Sequence, residues 1–294
     1  MEIKFLGTSA AHSCPMPFCN CNLCRKAREL GGKDLRKRSS ILINDDLIID
    51  IGQDFMSASY MHDIDTTKIR YWLQTHSHSD HFSPDHLITR SAEYATVDIQ
   101  SLYLYASLQC IKNMSKKLGR EGFGVNLLEM KDLERLGLHV TDVKHGEKFI
   151  CGRYVVTALN SAHDTNDGSY LYLIDDNNCQ LFYGLDADEA TLKEETIDYF
   201  LHNHVHLDAI VLDHTYGYNI DANDHLNANK FIMIINEMKK RNIISDTTKI
   251  YASHISHEGN LPHDEFVLLA KQHGYDVAFD GLVFAINNKS VSEK

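Results

Sequence analysis

The sequence predicts an α/β fold in which two packed sheets are covered by helices. Three observations lead to this prediction. Apolar runs typical of strands occur in both halves of the 294-residue chain, helical stretches lie between them, and no linker rich in proline, glycine or serine separates the halves. We therefore expect a single domain over residues 1–294.

The elements expected in the first half are short. At the N-terminus Ile3 and Phe5 alternate with polar neighbours, as in a strand, and a helical stretch ends at Leu30 before two glycines. The two strands of a hairpin are expected at Ser39–Asn44 and Leu47–Asp50. An apolar run follows at Ile69–Thr75, and a helix is expected to begin at Ser83-Pro84.

The second half repeats the alternation of strands and helices. The expected strands are Val155–Leu159, Ser169–Ile174, Leu181–Tyr183, Ala209–Leu212 and Lys249–Ala252, and a final hairpin is expected at Val277–Ile286. The expected helices are Glu189–Phe200, Asn227–Arg241 and His263–His273. The segment Ser107–Gly137 has no pattern that predicts a definite structure.

Charge and hydropathy disfavour two classes of partner. The chain has 29 Lys and Arg against 41 Asp and Glu, a net charge of −12, whereas a protein that holds nucleic acid by its phosphates needs a basic face. No run of eighteen apolar residues is present, and the first seven residues resemble a strand rather than a signal peptide. We expect a cytoplasmic protein without a membrane partner, and a homodimer is left open.

The histidines and cysteines indicate metal binding. There are 18 His and 7 Cys, and an odd number of cysteines argues against a disulfide framework. The strongest motif is Thr75-His76-Ser77-His78-Ser79-Asp80-His81, which follows the apolar run Ile69–Leu73. Imidazole and carboxylate together suit zinc, manganese or iron.

Four later segments have the same local form, in which a metal-competent residue follows an apolar strand. These residues are His163, Asp186, Asp213 with His214, and His254. A single His or Asp after a strand is more often a cap or a turn residue. Because loops at one end of a sheet commonly build sites, their occurrence together with the first motif predicts a metal centre.

These residues resemble the metallo-β-lactamase superfamily and, within it, the PhnP-like phosphodiesterases, which hydrolyse phosphoribosyl cyclic phosphates. The resemblance runs through Gly7-Thr8, Cys19–Cys24, Ile49–Gly52, His76–His81, His163, Asp186, Asp224-His225, His254–His257 and Phe279–Gly281. It implies a four-layer αββα sandwich with the site at one edge, between the sheets.

The resemblance also implies two sets of three ligands that are joined by one carboxylate. The ligands are His76, His78 and His163 in the first set, Asp80, His81 and His254 in the second, and Asp186 as the bridge. Asp188 competes for the bridging role, and Asp80 is also counted as catalytic. Two divalent ions, manganese, zinc or iron, could activate a bridging water whose hydroxide attacks phosphorus.

A second kind of metal site is expected near the N-terminus. Cys19, Cys21 and Cys24 have Cys-x-Cys-x-x-Cys spacing, and thiolates select zinc. A structural zinc takes four ligands, and the resemblance supplies His257 as the fourth. One loop, with His254 and His257, would then serve both metal sites; without a fourth ligand the cysteines would be free thiols.

The resemblance assigns the general acid to His225, which lies in a polar loop where imidazole titrates near neutral pH. The alternative is that His225 is a plain residue at the start of a helix, and His214 is a second candidate for the acid. The alternating His202, His204 and His206 are expected to be solvated or helix-terminal rather than metal-binding.

The expected function is metal-dependent hydrolysis of a small-molecule phosphodiester such as a phosphoribosyl 1,2-cyclic phosphate. The alternatives are a 2′,3′-cyclic nucleotide phosphodiesterase, a tRNA 3′-end phosphodiesterase and a lactonase. The acidic balance argues against tRNA, and a lactonase would need no general acid at His225. A non-enzymatic scaffold is disfavoured because every expected ligand is present. Residues 107–138 match the family poorly and could line the substrate pocket.

Overall fold

Two mixed seven-stranded sheets form the framework of the computed structural model, which describes residues 1–287 apart from 96, 98, 121–123, 219 and 221. The strands are β1 (Glu2–Gly7), β2 (Ser40–Ile43), β3 (Leu47–Ile49), β4 (Tyr71–Leu73), β5 (Leu102–Ala106), β6 (Leu138–Asp142), β7 (Lys148–Cys151), β8 (Tyr154–Asn160), β9 (Tyr170–Asp175), β10 (Gln180–Gly184), β11 (Ala209–Asp213), β12 (Lys249–Ser253), β13 (Asp276–Val277) and β14 (Val283–Ala285). One sheet has the order β14-β1-β2-β3-β4-β5-β6, and the other has the order β13-β12-β11-β10-β9-β8-β7.

The helices lie between the strands in sequence. They are α1 (Asn22–Leu30), α2 (Phe55–Met61), α3 (Pro84–Ile88), α4 (Leu108–Arg120), α5 (Met130–Leu136), α6 (Glu189–Thr191), α7 (Ile197–His202), α8 (Ala228–Lys240) and α9 (His263–Gln272). A π-helical turn joins α6 to α7, so the helix expected at Glu189–Phe200 is present with a widened turn. Asn227 caps α8, since its Oδ1 accepts a hydrogen bond from Lys230 N at 2.9 Å.

Three hydrophobic clusters separate four layers. The central cluster combines inward-facing residues of both sheets, among them Phe5 and Tyr172. The outer face of the first sheet packs Trp72 with residues of α4, and the outer face of the second packs Phe182 with residues of α8. Each sheet is therefore covered by the other sheet on one face and by helices on its other face, as expected from the sequence.

The prediction of a final hairpin over Val277–Ile286 is wrong. β13 pairs with β12 in the second sheet, whereas β14 pairs antiparallel with β1 in the first sheet. The two strands therefore belong to different sheets, and the chain crosses between the sheets at residues 278–282. The segment Ser107–Gly137, which had no readable pattern, contains α4 and α5.

The strand directions bring several loops to one edge of the sandwich. β10, β11 and β12 are mutually parallel, and β8 points the same way because β9 is antiparallel to both β8 and β10. The connection between β8 and β9 meets the loop after β4 of the first sheet, where Tyr170 N donates to Thr75 O at 3.0 Å. No helix in the described part of the chain has both the length and the apolar character that crossing a bilayer requires.

Candidate metal centre

The loop after β4 places the His-x-His-x-Asp-His motif at this edge. His76, Asp80 and His81 are buried, and His78 is partly exposed. The turn is compact, because His81 N donates to His78 O at 3.0 Å. A Cβ on Gly52 would lie 2.1 Å from the carbonyl oxygen of Asp80, so the close approach of residue 52 to the motif requires glycine.

The structure brings the sequence-predicted residues together in two groups. In each group one ligand atom per residue lies within 4.8 Å of all the others. The first group is His76, His78 and His163, and the second is Asp80, His81, Asp186 and His254. The partition is the one that the resemblance implied, with Asp186 in the second group.

Asp186 lies between the two groups. Its Oδ1 is 3.5 Å from His163 Nε2 in the first group. Its Oδ2 is 3.0 Å from His81 Nε2 and 3.3 Å from His254 Nε2 in the second. One carboxylate oxygen thus faces each group, which is the arrangement that a bridging ligand needs.

The neighbouring Asp188 has a different role. Its Oδ1 accepts the backbone N–H of Thr191 at 3.0 Å and its Oδ2 accepts the Thr191 hydroxyl at 2.6 Å, so it caps α6. Both carboxylate oxygens are engaged there, which leaves Asp186 as the residue between the groups.

Residues outside these groups orient the imidazoles. Asp50 Oδ2 lies 2.7 Å from His81 Nδ1, and Thr75 Oγ1 donates to the same carboxylate at 2.8 Å. Thr215 Oγ1 lies 2.8 Å from His254 Nδ1. Since Nδ1 is engaged in both rings, Nε2 is the nitrogen that each presents to the centre.

The donor set fits divalent metals. Nε2 of His76, His81 and His254 and Oδ2 of Asp186 are buried and make no hydrogen bond of acceptable geometry, although His81 Nε2 lies 3.0 Å from Asp186 Oδ2. Buried polar atoms are normally satisfied, and leaving one unsatisfied costs about 1–3 kcal/mol. Nitrogen and carboxylate oxygen ligands in this number suit two ions of the zinc, manganese or iron class. The buried His/Asp clusters are therefore consistent with a dinuclear metal site.

The electrostatics favour ionised carboxylates. Burial alone would raise the pKa of Asp186, but the imidazoles of His254 and His81 outweigh it and hold this pKa well below its usual range. The pKa of Asp80 is likewise well below its usual range, because His81 and His254 outweigh its burial. Negative charge at these positions is what a cation site requires.

His225 lies against both groups. Its ligand atom is within 4.8 Å of those of His163 and Asp186, and its ring stacks on His254 with centroids 5.3 Å apart. Its Nδ1 is 2.9 Å from Asp213 Oδ2. Burial opposes a charged imidazole, but the Asp213 carboxylate outweighs this and raises the pKa of His225 to about 9.

The other histidines are placed elsewhere. His214 is fully buried against Phe231 and Phe266, with ring centroids at 5.1 and 4.7 Å, and burial lowers its pKa to about 4. It belongs to none of the metal-competent groups in the described part of the chain. His202 ends α7, and the two later histidines of the alternating set follow it outside regular structure.

The cysteine group is separate. Ligand atoms of Cys19, Cys21, Cys24 and His257 lie within 4.8 Å of one another, and His257 Nδ1 is 3.5 Å from Cys19 Sγ and 3.4 Å from Cys21 Sγ. Partial burial raises the pKa of Cys21, but hydrogen bonds from Cys24 N and His257 outweigh it and lower this pKa to about 6. Three thiols and one imidazole could bind a structural zinc.

The sequence did not single out several residues that support the centre. Asp50 comes just after the end of a strand, so the signal that found the ligands was available for it. Asp213, which the sequence named with His214 as metal-competent, accepts the backbone N–H of Asp186 and lies 2.9 Å from His225 Nδ1. Asp164 and Asp167 follow His163 in the loop after β8 and contact the motif after β4. Their spacing is that of an ordinary turn, and only the tertiary contact reveals them.

Comparison with solved structures supports the same fold. A diphosphatase of the PhnP family is 20% identical with a TM-score of 0.68, and the match covers 98% of each chain. Zn²⁺-bound PqqB from Methylobacterium extorquens is 16% identical with a TM-score of 0.69, covering 97% of this chain and 100% of the other. The metallo-β-lactamase fold protein YhfI from Bacillus subtilis is 14% identical with a TM-score of 0.64, covering 96% and 98%.

These similarities confirm the metallo-β-lactamase fold. At such identities they establish the fold alone, so the PhnP-like resemblance of the sequence does not assign the family. No curated protein matches the chain. The sequence does match, over residues 38–272, the model of the family described as Anti-Pycsar protein Apyc1. Because this match spans well over half of the 294 residues, the chain belongs to the Anti-Pycsar protein Apyc1 family of metallo-β-lactamase-fold proteins.

Proposed function

We propose that the protein is a metal-dependent phosphodiesterase that opens a small cyclic phosphate. The observation that carries the proposal is the position of His225, which is held by Asp213 and lies within reach of both ligand groups. A hydrolase with a dinuclear centre and a separate proton donor is suited to an ester with a poor leaving group, since the leaving alkoxide must be protonated.

In this proposal one metal is held by His76, His78 and His163. The other is held by Asp80, His81 and His254, with Asp186 shared between the two. The chemistry that two divalent ions supply at such a site is Lewis-acid stabilisation of phosphoryl charge and a water nucleophile at neutral pH. The unpartnered Nε2 atoms and the divided contacts of Asp186 support this assignment.

His225 is the proposed general acid. Its Nδ1 is engaged by Asp213, so Nε2 is the nitrogen that can deliver a proton to the leaving oxygen. The carboxylate keeps the imidazole protonated at neutral pH, in the manner that such pairs orient and charge a catalytic histidine. Asp213 also accepts the backbone N–H of Asp186 at 3.0 Å, so the same carboxylate positions the acid and the shared ligand.

The proposed substrate class is a cyclic nucleotide, which membership of the Anti-Pycsar Apyc1 family favours. A phosphoribosyl 1,2-cyclic phosphate is the second candidate, favoured by the Cys19, Cys21, Cys24 and His257 group through its resemblance to PhnP-like enzymes. Both substrates are small phosphodiesters in which the leaving group is a sugar alkoxide. The net charge of −12 argues against tRNA as the substrate.

A turnover panel tests the proposal. Manganese- or zinc-loaded protein is offered 3′,5′- and 2′,3′-cyclic nucleotides, a ribosyl 1,2-cyclic phosphate, bis-p-nitrophenyl phosphate and a lactone, with the His225→Ala variant and chelator-treated protein as controls. We expect a cyclic nucleotide to be opened to a phosphomonoester at the highest kcat/KM. A lactone that is hydrolysed far faster than every phosphodiester would contradict the assignment.

A further inference from the structure

The loop between β8 and β9 does more than present His163. It also carries Asp164 and Asp167, and both carboxylates face the segment His76–His78 across the edge of the sandwich. Ser77 lies between the two histidines of that segment. Any group that fixes Ser77 therefore fixes the backbone from which both imidazoles project.

Asp167 binds Ser77 at two points. It is 1% exposed, its Oδ2 accepts the backbone N–H of Ser77, and its Oδ1 accepts the Ser77 hydroxyl at 2.9 Å. A buried carboxylate with several donors is held in one geometry, and it holds the donors in turn. The N–H of the residue between the ligands is thus fixed by a charged group.

Helix α4 completes the arrangement. Asn113 Nδ2 donates to Asp167 Oδ1 at 2.5 Å, and the Lys117 ammonium donates to the carbonyl oxygen of Ser77. Both polar backbone groups of Ser77 are therefore bound to charged side chains of opposite sign. This helix lies in the segment whose role could not be read from the sequence.

Asp164 acts on the imidazole itself. Its Oδ2 lies 2.9 Å from His78 Nε2, and its Oδ1 accepts the backbone N–H of Asn166 at 2.9 Å. Because Nε2 is occupied, Nδ1 is the nitrogen that His78 has left for a metal. A carboxylate on the far nitrogen fixes the tautomer and the orientation of a ligating ring.

We propose that Asp167 is a positioning residue for the first ligand group, acting with Asp164, Asn113 and Lys117 through Ser77 and His78. The second group is oriented by Asp50 and Thr215, and in the described part of the chain neither bonds to Asp164, Asp167, Asn113 or Lys117. The two groups are joined through the motif itself, where Thr75 Oγ1 lies 3.0 Å from His76 Nδ1 and His81 N donates to His78 O. Loss of Asp167 should therefore weaken the metal of the first group more than the metal of the second. This inference rests on the ligand assignment proposed above.

Metal binding at equilibrium tests the inference without reference to activity. Wild-type protein and Asp167→Asn are dialysed against graded Mn²⁺, and bound manganese is counted by elemental analysis. We expect wild type to bind two Mn²⁺ at the His/Asp groups, and the variant to bind one of them about 10–100-fold more weakly, the usual cost of removing an outer hydrogen-bond partner. The affinity for the other Mn²⁺ should change much less.

Asp132→Asn is the matched control. Asp132 is 7% exposed, and its Oδ2 accepts the backbone N–H of Asn126 at 2.8 Å, so the substitution removes a buried carboxylate of similar local role away from the centre. Both Mn²⁺ affinities should remain unchanged in this variant. Ser77→Ala and Asn113→Ala, which each remove one partner of Asp167, should give smaller losses at the same metal.

Three results would overturn the inference. They are unchanged manganese affinity in folded Asp167→Asn, equal weakening of both metals, or, if Asp167→Asn does not fold, wild-type affinities in both Ser77→Ala and Asn113→Ala. Failure of the wild-type protein itself to bind manganese at the His/Asp groups would instead count against the ligand assignment on which the inference rests.

Discussion

Three residues of the centre depend on an uncommon backbone conformation. Asp50, Asp186 and His254 each follow a strand and have positive φ values of 62°, 54° and 58°. Such a conformation costs on the order of 1 kcal/mol or more for a residue with a Cβ, and it persists where surrounding contacts impose it. Here the contacts are those of the centre itself, such as Asp186 N with Asp213 Oδ2 at 3.0 Å. The sharp turn directs each side chain inward at the end of its strand.

The role of His225 can be separated from metal binding. His225→Ala should retain metal, because His225 is not a proposed ligand, and should slow hydrolysis of a cyclic nucleotide by about 10²–10⁴-fold. A p-nitrophenyl diester should slow far less, since its leaving group needs little protonation. The measurement is the ratio of variant to wild-type kcat/KM for each of the two substrates, together with the metal content of both proteins.

His81→Ala is the comparison for that experiment. This variant should lose metal and slow both substrates together. Equal losses on both substrates in His225→Ala, with metal retained, would mean that His225 binds the phosphate rather than protonating the leaving group.

The raised pKa of His225 predicts how the reaction rate falls at alkaline pH. The pKa of His225 is raised above its ordinary value to about 9, so the imidazole is protonated and able to donate at neutral pH and loses its proton as the pH rises. Bound cations would move this pKa downward, so the decline should begin at or below about pH 9. Turnover of a cyclic nucleotide should fall there, and the decline should be absent in His225→Ala.

Gly52 offers a test of how tightly the motif is packed. Gly52→Ala places a Cβ 2.1 Å from the carbonyl oxygen of Asp80. Because this oxygen belongs to the backbone, relief of the clash requires the main chain of the motif to move. We expect a loss of about 1–3 kcal/mol in the free energy of unfolding, as for overpacked sites, together with weaker metal binding. Urea unfolding and metal content measure both effects.

Gly119→Ala is the matched control for Gly52→Ala. Gly119 lies in α4, and a Cβ there would have nothing within 4 Å. Alanine at this position should leave metal binding unchanged and raise stability by about 0.5–1 kcal/mol. A Gly52→Ala protein that behaves like this control would show that the approach to Asp80 is not tight.

Among the structural elements, one loop connects the His/Asp groups with the cysteine group. The loop after β12 carries His254 and His257. In this loop the backbone N–H of Ile255 donates to Thr8 O at 2.9 Å. Ser256 N donates to Thr215 O at 3.1 Å, next to the side chain that orients His254. Through the contacts of His257 with Cys19 and Cys21, this loop ties the N-terminal cysteine segment to the strand ends that carry the His/Asp groups.

Replacement of one thiol should affect both zinc content and stability. If the cysteine group holds a structural zinc, Cys21→Ser should bind less zinc than the wild type and unfold at a lower temperature, because a closed thiolate site contributes folding free energy. Cys151→Ala, at a fully buried thiol outside the cysteine group, should lose stability through a cavity but keep the zinc. Elemental analysis and thermal unfolding distinguish the two variants. Full zinc content in Cys21→Ser would exclude a zinc site at the cysteine group.

For the molecule as a whole, the strand and helix patterns predicted the layered α/β fold but not the pairing partner of every strand. The strands β13 and β14 were expected to pair, yet period-two alternation shows which residues face a sheet and not which sheet receives them. The clustering of the His and Asp side chains was predictable because each segment that carries them follows a strand, and parallel strands bring such loops to one edge. Asp164 and Asp167 were not, since their role depends on a contact between loops about 90 residues apart.

In the proposed mechanism, two metals at the His/Asp groups are required to open a cyclic phosphodiester. The most direct test strips the protein with a chelator that spares the cysteine site, then adds Mn²⁺ in steps while hydrolysis of a cyclic nucleotide to its monoester is followed. We expect no turnover in the stripped protein and a maximum at two equivalents of bound manganese per chain. Full turnover without added metal, or a maximum at one equivalent, would contradict it.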